Sequence, residues 1–154
     1  MEKENIIIGF SVGDINGIGL ETFLKLFSHE ELYKYCTPVL YATKPIVEFY
    51  KKQLGLDDLN IHQIQDTKNC KDGVINLKTV DGPEPEIKPG ESTEEAGKFA
   101  VASLKMAVED ITNGQTINLV TLPLNKHNIQ SEEFNFPGHT SYLAEAFASE
   151  NYMM

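Results

Sequence analysis

Ile6-Ile7-Ile8-Gly9-Phe10-Ser11-Val12-Gly13-Asp14-Ile15-Asn16-Gly17-Ile18-Gly19 decides the fold class. The first seven residues are apolar and β-branched, bounded by glycine, which predicts a buried strand covered on both faces. A glycine turn follows. Beyond it Leu20, Phe23, Leu24, Leu26 and Phe27 recur at helical spacing and predict an amphipathic helix.

The same alternation continues outward. Pro38-Val39-Leu40-Tyr41-Ala42 predicts a second strand, and Thr43 stands where it could cap a helix running through Leu54 with Pro45 in its first turn. Residues 61–64 and 74–77 predict two short strands. Residues 81–90 carry Pro83, Pro85, Pro89, Gly82 and Gly90, which blocks regular structure and marks a connection or domain-crossing loop. Ser92-Thr93-Glu94-Glu95 offers a cap and an acidic first turn for a long helix, with Ala96, Phe99, Ala100, Ser103, Leu104, Ala107 and Val108 on one face. Asn113-Gly114 stops it. Residues 116–121 predict a buried strand and 141–149 a last helix. Strands alternating with helices predict an α/β fold, a parallel or mixed sheet flanked by helices.

Hydrophobic residues make up 41% of the 154-residue chain, as in a globular domain, and no internal repeat or low-complexity tract interrupts it. Thirteen basic against 23 acidic residues give a net charge of -10, which opposes a broad nucleic-acid surface or attraction to anionic membranes. A phosphorylated metabolite is still compatible, because a few N–H groups or one cation dominate at contact distance. Met1 to Asn5 lack the apolar core of a signal peptide, and no apolar run has the length of a membrane span. Cys36 and Cys70 are far apart without a C-x-x-C pairing, which fits buried thiols in a reducing cytoplasm.

Ligands of open α/β sheets bind outside the carboxyl ends of the strands, so the segments after Val12 and Thr121 carry the functional expectation. Gly13, Gly17 and Gly19 are spaced G-x-x-x-G-x-G, which is neither the dinucleotide fingerprint nor a Walker P-loop. Asp14 there reads equally as a turn residue and as a lining residue of the cleft. Asn125 and Lys126 follow a strand end, where an amide and a cation could meet an anion. His139 and Thr140 follow Pro137-Gly138 at a helix start, where free N–H groups favour hydroxyl or carboxylate oxygens, although Thr140 alone also fits a plain helix cap. His29, His62 and His127 show no metal-ligand spacing with one another or with His139.

Together these segments resemble one family. Gly13-Asp14-Ile15-Asn16-Gly17-Ile18-Gly19-Leu20-Glu21 is similar to the opening motif G-[DE]-P-A-G-I-G-P-[DE] of the 4-hydroxythreonine-4-phosphate dehydrogenases. Ala96-Gly97, Val120-Thr121-Leu122-Pro123-Leu124-Asn125-Lys126 and Phe136-Pro137-Gly138-His139-Thr140-Ser141-Tyr142-Leu143 look like its later motifs, in order. The departures are Ile15 and Asn16 for the family's Pro and Ala, Leu20 for its second Pro, and Leu122 for the Gly before its later Pro.

The resemblance implies a two-domain α/β subunit similar to isocitrate and isopropylmalate dehydrogenases, of which residues 1–154 form the N-terminal fragment, crossing between domains near 81–95. It implies a cytoplasmic homodimer that oxidises and decarboxylates 4-phosphohydroxy-L-threonine to 3-amino-2-oxopropyl phosphate in vitamin B6 (pyridoxal phosphate) biosynthesis. NAD, or NADP, takes the hydride, and a divalent metal such as zinc, magnesium or cobalt polarises the substrate hydroxyl. His139 and Thr140 match the substrate-contacting pair, with Asp14, Asn125 and Lys126 as cleft-lining candidates; the metal's histidines lie beyond residue 154. On this reading the chain alone is inactive. The alternatives are a related dehydrogenase of four-carbon sugar-acid phosphates and a non-catalytic binding domain that keeps the same fold.

Overall fold

The computed structural model describes residues 6–115, 118–132 and 134–148. Five parallel strands, β1 (Ile6–Ser11), β2 (Cys36–Ala42), β3 (Ile61–Ile64), β4 (Ile75–Thr79) and β5 (Asn118–Thr121), form one sheet in the order β3-β4-β2-β1-β5. Helices α1 (Gly19–Phe27), α2 (Lys44–Leu54), α3 (Glu94–Thr112) and α4 (His139–Ala146) fill the connections, with short 3-10 turns at Glu30–Lys34 and Thr67–Asn69. The predicted α/β alternation holds, and every pairing between these strands is parallel.

Alternation along β1 assigns the layers. Phe10 points to one face, where its ring meets Phe23 and Phe27 of α1 at centroid distances of 4.9 and 5.5 Å. Gly9 points to the other, where Tyr41 crosses it; a Cβ on Gly9 would lie 3.0 Å from the tyrosine ring. The Tyr41 hydroxyl then donates to Asp110 of α3 at 2.8 Å, and Lys78 of β4 pairs with the same carboxylate at 2.7 Å. Helices α1 and α3 therefore cover opposite faces. Ser103 stitches α3 to the sheet: its hydroxyl accepts from the Val12 N–H at 2.9 Å and donates to the Tyr41 carbonyl at 2.7 Å. A buried hydroxyl with both capacities used carries no desolvation penalty.

Several expectations need correction. Residues 118–121 are not a buried strand: β5 alternates exposed and half-buried residues because it pairs only with β1 and is the edge among the described strands, while residues 116 and 117 lie outside the described residues. The start of β1 is likewise uncovered, Ile6 being 53% exposed. Leu26 belongs to the solvent side of α1 at 46% exposure. Thr43 holds the N-cap position of α2 without capping it, because its hydroxyl donates to Glu84 instead. By contrast Thr93 caps α3, accepting from the Ala96 N–H at 3.3 Å, and Gly114 at φ +70° follows its end. The last helix spans residues 139–146, and position 149 of its predicted range lies outside the described residues.

Candidate functional site

The chain passes from β1 to one side of the sheet and reaches β5 only after building the other strands, so β1 and β5 flank a point where strand order reverses. Two loops leave their carboxyl ends and touch. Gly13 has φ +66°, and a Cβ there would lie 2.3 Å from the Pro123 carbonyl oxygen, so only glycine fits. The Asp14 N–H donates to that same oxygen at 2.8 Å, and the Leu122 N–H donates to the Ser11 carbonyl at 3.1 Å. Gly19 closes the contact, since its Cβ would stand 3.0 Å from the Pro123 ring. Ile15 is fully buried, and its carbonyl accepts from the Tyr50 hydroxyl at 2.5 Å.

The segment after Leu122 is fixed from the α3 side. Asn125 Nδ2 donates to Ser92 at 2.9 Å and its Oδ1 accepts from the His127 N–H at 3.0 Å; Asn128 donates to the Thr93 carbonyl at 2.9 Å. The Asn128 carbonyl lies where a Cβ of Gly97 would be only 1.9 Å away. Gly97 is therefore the seat for this loop's backbone on α3.

His139 opens α4 at the same place. Burial is the main cause that lowers its pKa; the Leu122 carbonyl pulls the other way and the Lys126 cation adds to the lowering. The imidazole Nε2 is buried with no partner in the protein. Lys126 is exposed, and its Cε stands 3.8 Å from where a Gly138 Cβ would be, so the cation overlooks the helix start. Gly138 holds the N-cap position and no side chain caps α4, which corrects the reading of Thr140 as a plain cap: it is the second residue of the helix. The first backbone N–H groups of a helix lack intrahelical acceptors. Three rings hold α4 in place, Phe134, Phe136 and Tyr142, with centroids 5.2 to 5.4 Å apart.

The candidate residues fall into two groups. His139, Thr140 and Lys126 gather at the α4 start, joined to the glycine turn through Leu122 and Pro123. Asp14 and Asn125 are held by bonds that build the walls: Asp14 Oδ1 accepts from the Asn16 N–H at 3.0 Å, and both polar ends of Asn125 are taken up in the loop. Sequence reasoning missed Asn16, Ser92, Thr93 and Asn128 as architects of this crevice. The local signals were the Asp14-x-Asn16 spacing in the turn and the Ser92-Thr93 cap. A groove of about 370 Å3 beneath Pro83 and Pro85 lies against Lys98 and Phe99 and contains none of the candidate residues.

Among the described residues no group of three or more His, Cys, Asp or Glu comes together. Cys36 and Cys70 are free, and both are half-buried where buried thiols were expected. Burial, followed by the Asp72 and Asp66 carboxylates, pushes the Cys70 thiol up to about 11, which disfavours a thiolate. No helix among the described residues is long and apolar enough to cross a membrane.

Residues 34–154 match the family model described as pyridoxal phosphate biosynthetic protein PdxA. Over 153 residues the chain is 37% identical to a 4-hydroxythreonine-4-phosphate dehydrogenase of Bacteroides thetaiotaomicron, covering 98% of this chain and 41% of that protein. A Clostridium botulinum protein named as a candidate D-threonate 4-phosphate dehydrogenase is 30% identical over 151 residues, 94% of this chain and 44% of the other. The crystal structure of a 4-hydroxythreonine-4-phosphate dehydrogenase from Burkholderia phymatum superposes with a TM-score of 0.83 at 27% identity, covering 97% of this chain and 46% of that one. The chain thus spans less than half the length of these relatives.

Proposed function

We propose a function from one established premise: this chain belongs to the pyridoxal phosphate biosynthetic protein PdxA family. The chain is part of a two-domain, isocitrate-dehydrogenase-like subunit of a cytoplasmic homodimer, with the domain crossing near residues 81–95. The assembled enzyme oxidises 4-phosphohydroxy-L-threonine with NAD and a divalent metal, and decarboxylation yields 3-amino-2-oxopropyl phosphate for vitamin B6 biosynthesis. The observation that carries this reading is the convergence of His139 and Lys126 with the glycine turn at the carboxyl ends of β1 and β5. On this reading the metal ligands and most cofactor-binding groups come from the part of the enzyme beyond residues 1–154.

What these residues contribute is binding and orientation. The Leu122 carbonyl beside His139 favours the protonated ring, but burial outweighs it and lowers the pKa, which favours the neutral imidazole. A neutral imidazole that donates through one nitrogen presents a lone pair at the other. Nε2, buried and without a protein partner, is the atom assigned to accept from a substrate hydroxyl once the start of α4 shifts to admit it, and Thr140 and the uncapped helix start offer donors on the same turn. Lys126 adds a positive charge for an anionic group.

The test is an assay of a protein carrying this chain together with the remaining length of its relatives, with NAD and a divalent metal. Metal-dependent NADH formation from 4-phosphohydroxy-L-threonine is expected, and none from residues 1–154 alone, because alcohol oxidation needs the metal and nicotinamide sites in place. Activity of the short chain matching the long one overturns the assignment of those sites. A second reading, oxidation of a four-carbon sugar-acid phosphate, is favoured by the Clostridium botulinum relative. A higher kcat/KM on D-threonate 4-phosphate than on 4-phosphohydroxy-L-threonine decides for it.

A further inference from the structure

Hydrogen bonds converge on Asn16 from both sides of the crevice wall. Its N–H donates to Asp14 Oδ1 at 3.0 Å, and its Nδ2 donates to the Glu91 carbonyl at 3.0 Å and to Thr93 Oγ1 at 3.3 Å. Its Oδ1 accepts from the Lys88 N–H at 2.7 Å, and its carbonyl accepts from the Gly90 N–H at 2.8 Å. The amide has one orientation only: the Glu91 carbonyl can only accept and the Lys88 N–H can only donate. Asn16 is 4% exposed, so each of these bonds would be costly to leave unmade.

The segment it holds has no support of its own. Residues 80–93 form no helix or strand, and prolines at 83, 85 and 89 remove backbone donors. What secures residues 88–93 is largely one side chain that lies more than 70 positions earlier in the chain. That segment in turn holds the loop after β5: Ser92 accepts from Asn125, the Thr93 carbonyl accepts from Asn128, and Lys126 stands between those two anchors. The family motif set out above has alanine at this position, whose methyl makes no such bonds.

We propose that Asn16 is a positioning residue, which seats residues 88–93 on the glycine turn and through them fixes the Asn125 to Asn128 loop, and so Lys126, against the start of α4. The functional weight of that loop rests on the reading given under Proposed function; the coupling itself does not, and it is measured without substrate or turnover.

Hydrogen exchange of the chain and of Asn16→Ala and Asn16→Asp is the test. At pH 7 both variants should speed exchange roughly 10-fold to 100-fold in residues 88–93 and 125–128, the range expected for losing buried bonds, with β1 and β2 unchanged. Aspartate at this position keeps the acceptor but loses the donor and adds a charge beside Asp14; protonation restores an O–H donor. Asn16→Asp should therefore regain protection relative to Asn16→Ala as pH falls from about 7 toward about 5, since a buried carboxyl beside another titrates high. Loosening of 88–93 with 125–128 unchanged, a uniform rise that includes β1 and β2, no rise anywhere, or an Asn16→Asp response independent of pH would each overturn the proposal.

Discussion

The two walls of the crevice are built differently. On the glycine-turn side, Ile15 and Asn16 are buried, Gly13 and Gly19 admit backbone and ring contacts that no side chain could, and α3 buries half its length beneath. On the α4 side no helix residue is fully buried, β5 is the edge among the described strands, and one small apolar cluster of Val101, Leu104, Val108, Ile129 and Phe134 carries the attachment. The residues proposed to bind substrate, His139 and Thr140, stand on the weaker wall. Binding elements are commonly drawn from the less stable part of a fold, because a wall that moves can close on a ligand.

The largest effect expected from this contrast is at Phe134, which is fully buried and touches both Phe136 and Tyr142. Phe134→Ala should cost the α4 wall about 3–5 kcal/mol, the usual range for a buried ring. Hydrogen exchange should show α4 opening while β1 and β2 keep their protection. Equal loss in both would mean that the walls form one cooperative unit and would break the comparison.

Next in size is His139→Ala in a complete enzyme. If Nε2 accepts a bond that tightens in the transition state, kcat/KM should fall roughly 10-fold to 1000-fold with thermal stability little changed. Steady-state kinetics beside thermal unfolding checks this. Wild-type kinetics would remove His139 from the site.

The strong wall was the more legible one in the sequence. A β-branched run ending in Gly13, a helical apolar period and a cap at Thr93 are local signals, and each describes the element that formed. What holds these elements together is not local. Asn16 finds Glu91 and Thr93, Ser103 finds Val12 and Tyr41, and Gly97 admits Asn128. Such pairings depend on which strand lies beside which, and hydrophobic period does not encode strand order. The failures on the weak wall share a cause. Residues 118–121 have a core strand's composition but lie at the edge among the described strands, where burial depends on a neighbour outside the strand itself. His139 and Thr140 were visible through their Pro-Gly turn, whereas the Leu122 carbonyl and the Lys126 cation beside the imidazole are tertiary facts.

A smaller effect sharpens the contrast between the caps. Thr93 accepts from the Ala96 N–H, whereas Thr43, in the equivalent position on α2, makes no capping bond. Thr93→Ala should cost about 1 kcal/mol through the lost cap, and should also expose residues 88–93 to exchange because an Asn16 partner is lost. Thr43→Ala should leave that segment alone. Denaturant midpoints and exchange rates distinguish the two, and equal loosening of residues 88–93 by both would deny Thr93 its part in the clamp.

The smallest effect is a pH dependence confined to the α4 wall. Burial of the imidazole is the first cause that lowers the His139 pKa, and Lys126 adds to it against the Leu122 carbonyl. An unfolded histidine titrates near pH ~6.5, so as pH falls through that value the unfolded chain takes up a proton before the folded one does. Stability from this residue is therefore full above that pH and declines as pH drops toward the folded pKa. Substrate binding should follow the same direction, because a protonated Nε2 no longer offers a lone pair to a hydroxyl. Removing the cation by Lys126→Met should raise the pKa of His139, read from its imidazole signals in an NMR titration, while Phe23→Leu in the core should not move it. A histidine that titrates at or above its ordinary value in the unmodified chain would mean that the crevice does not close over the ring, and the neutral acceptor assigned to Nε2 would be lost.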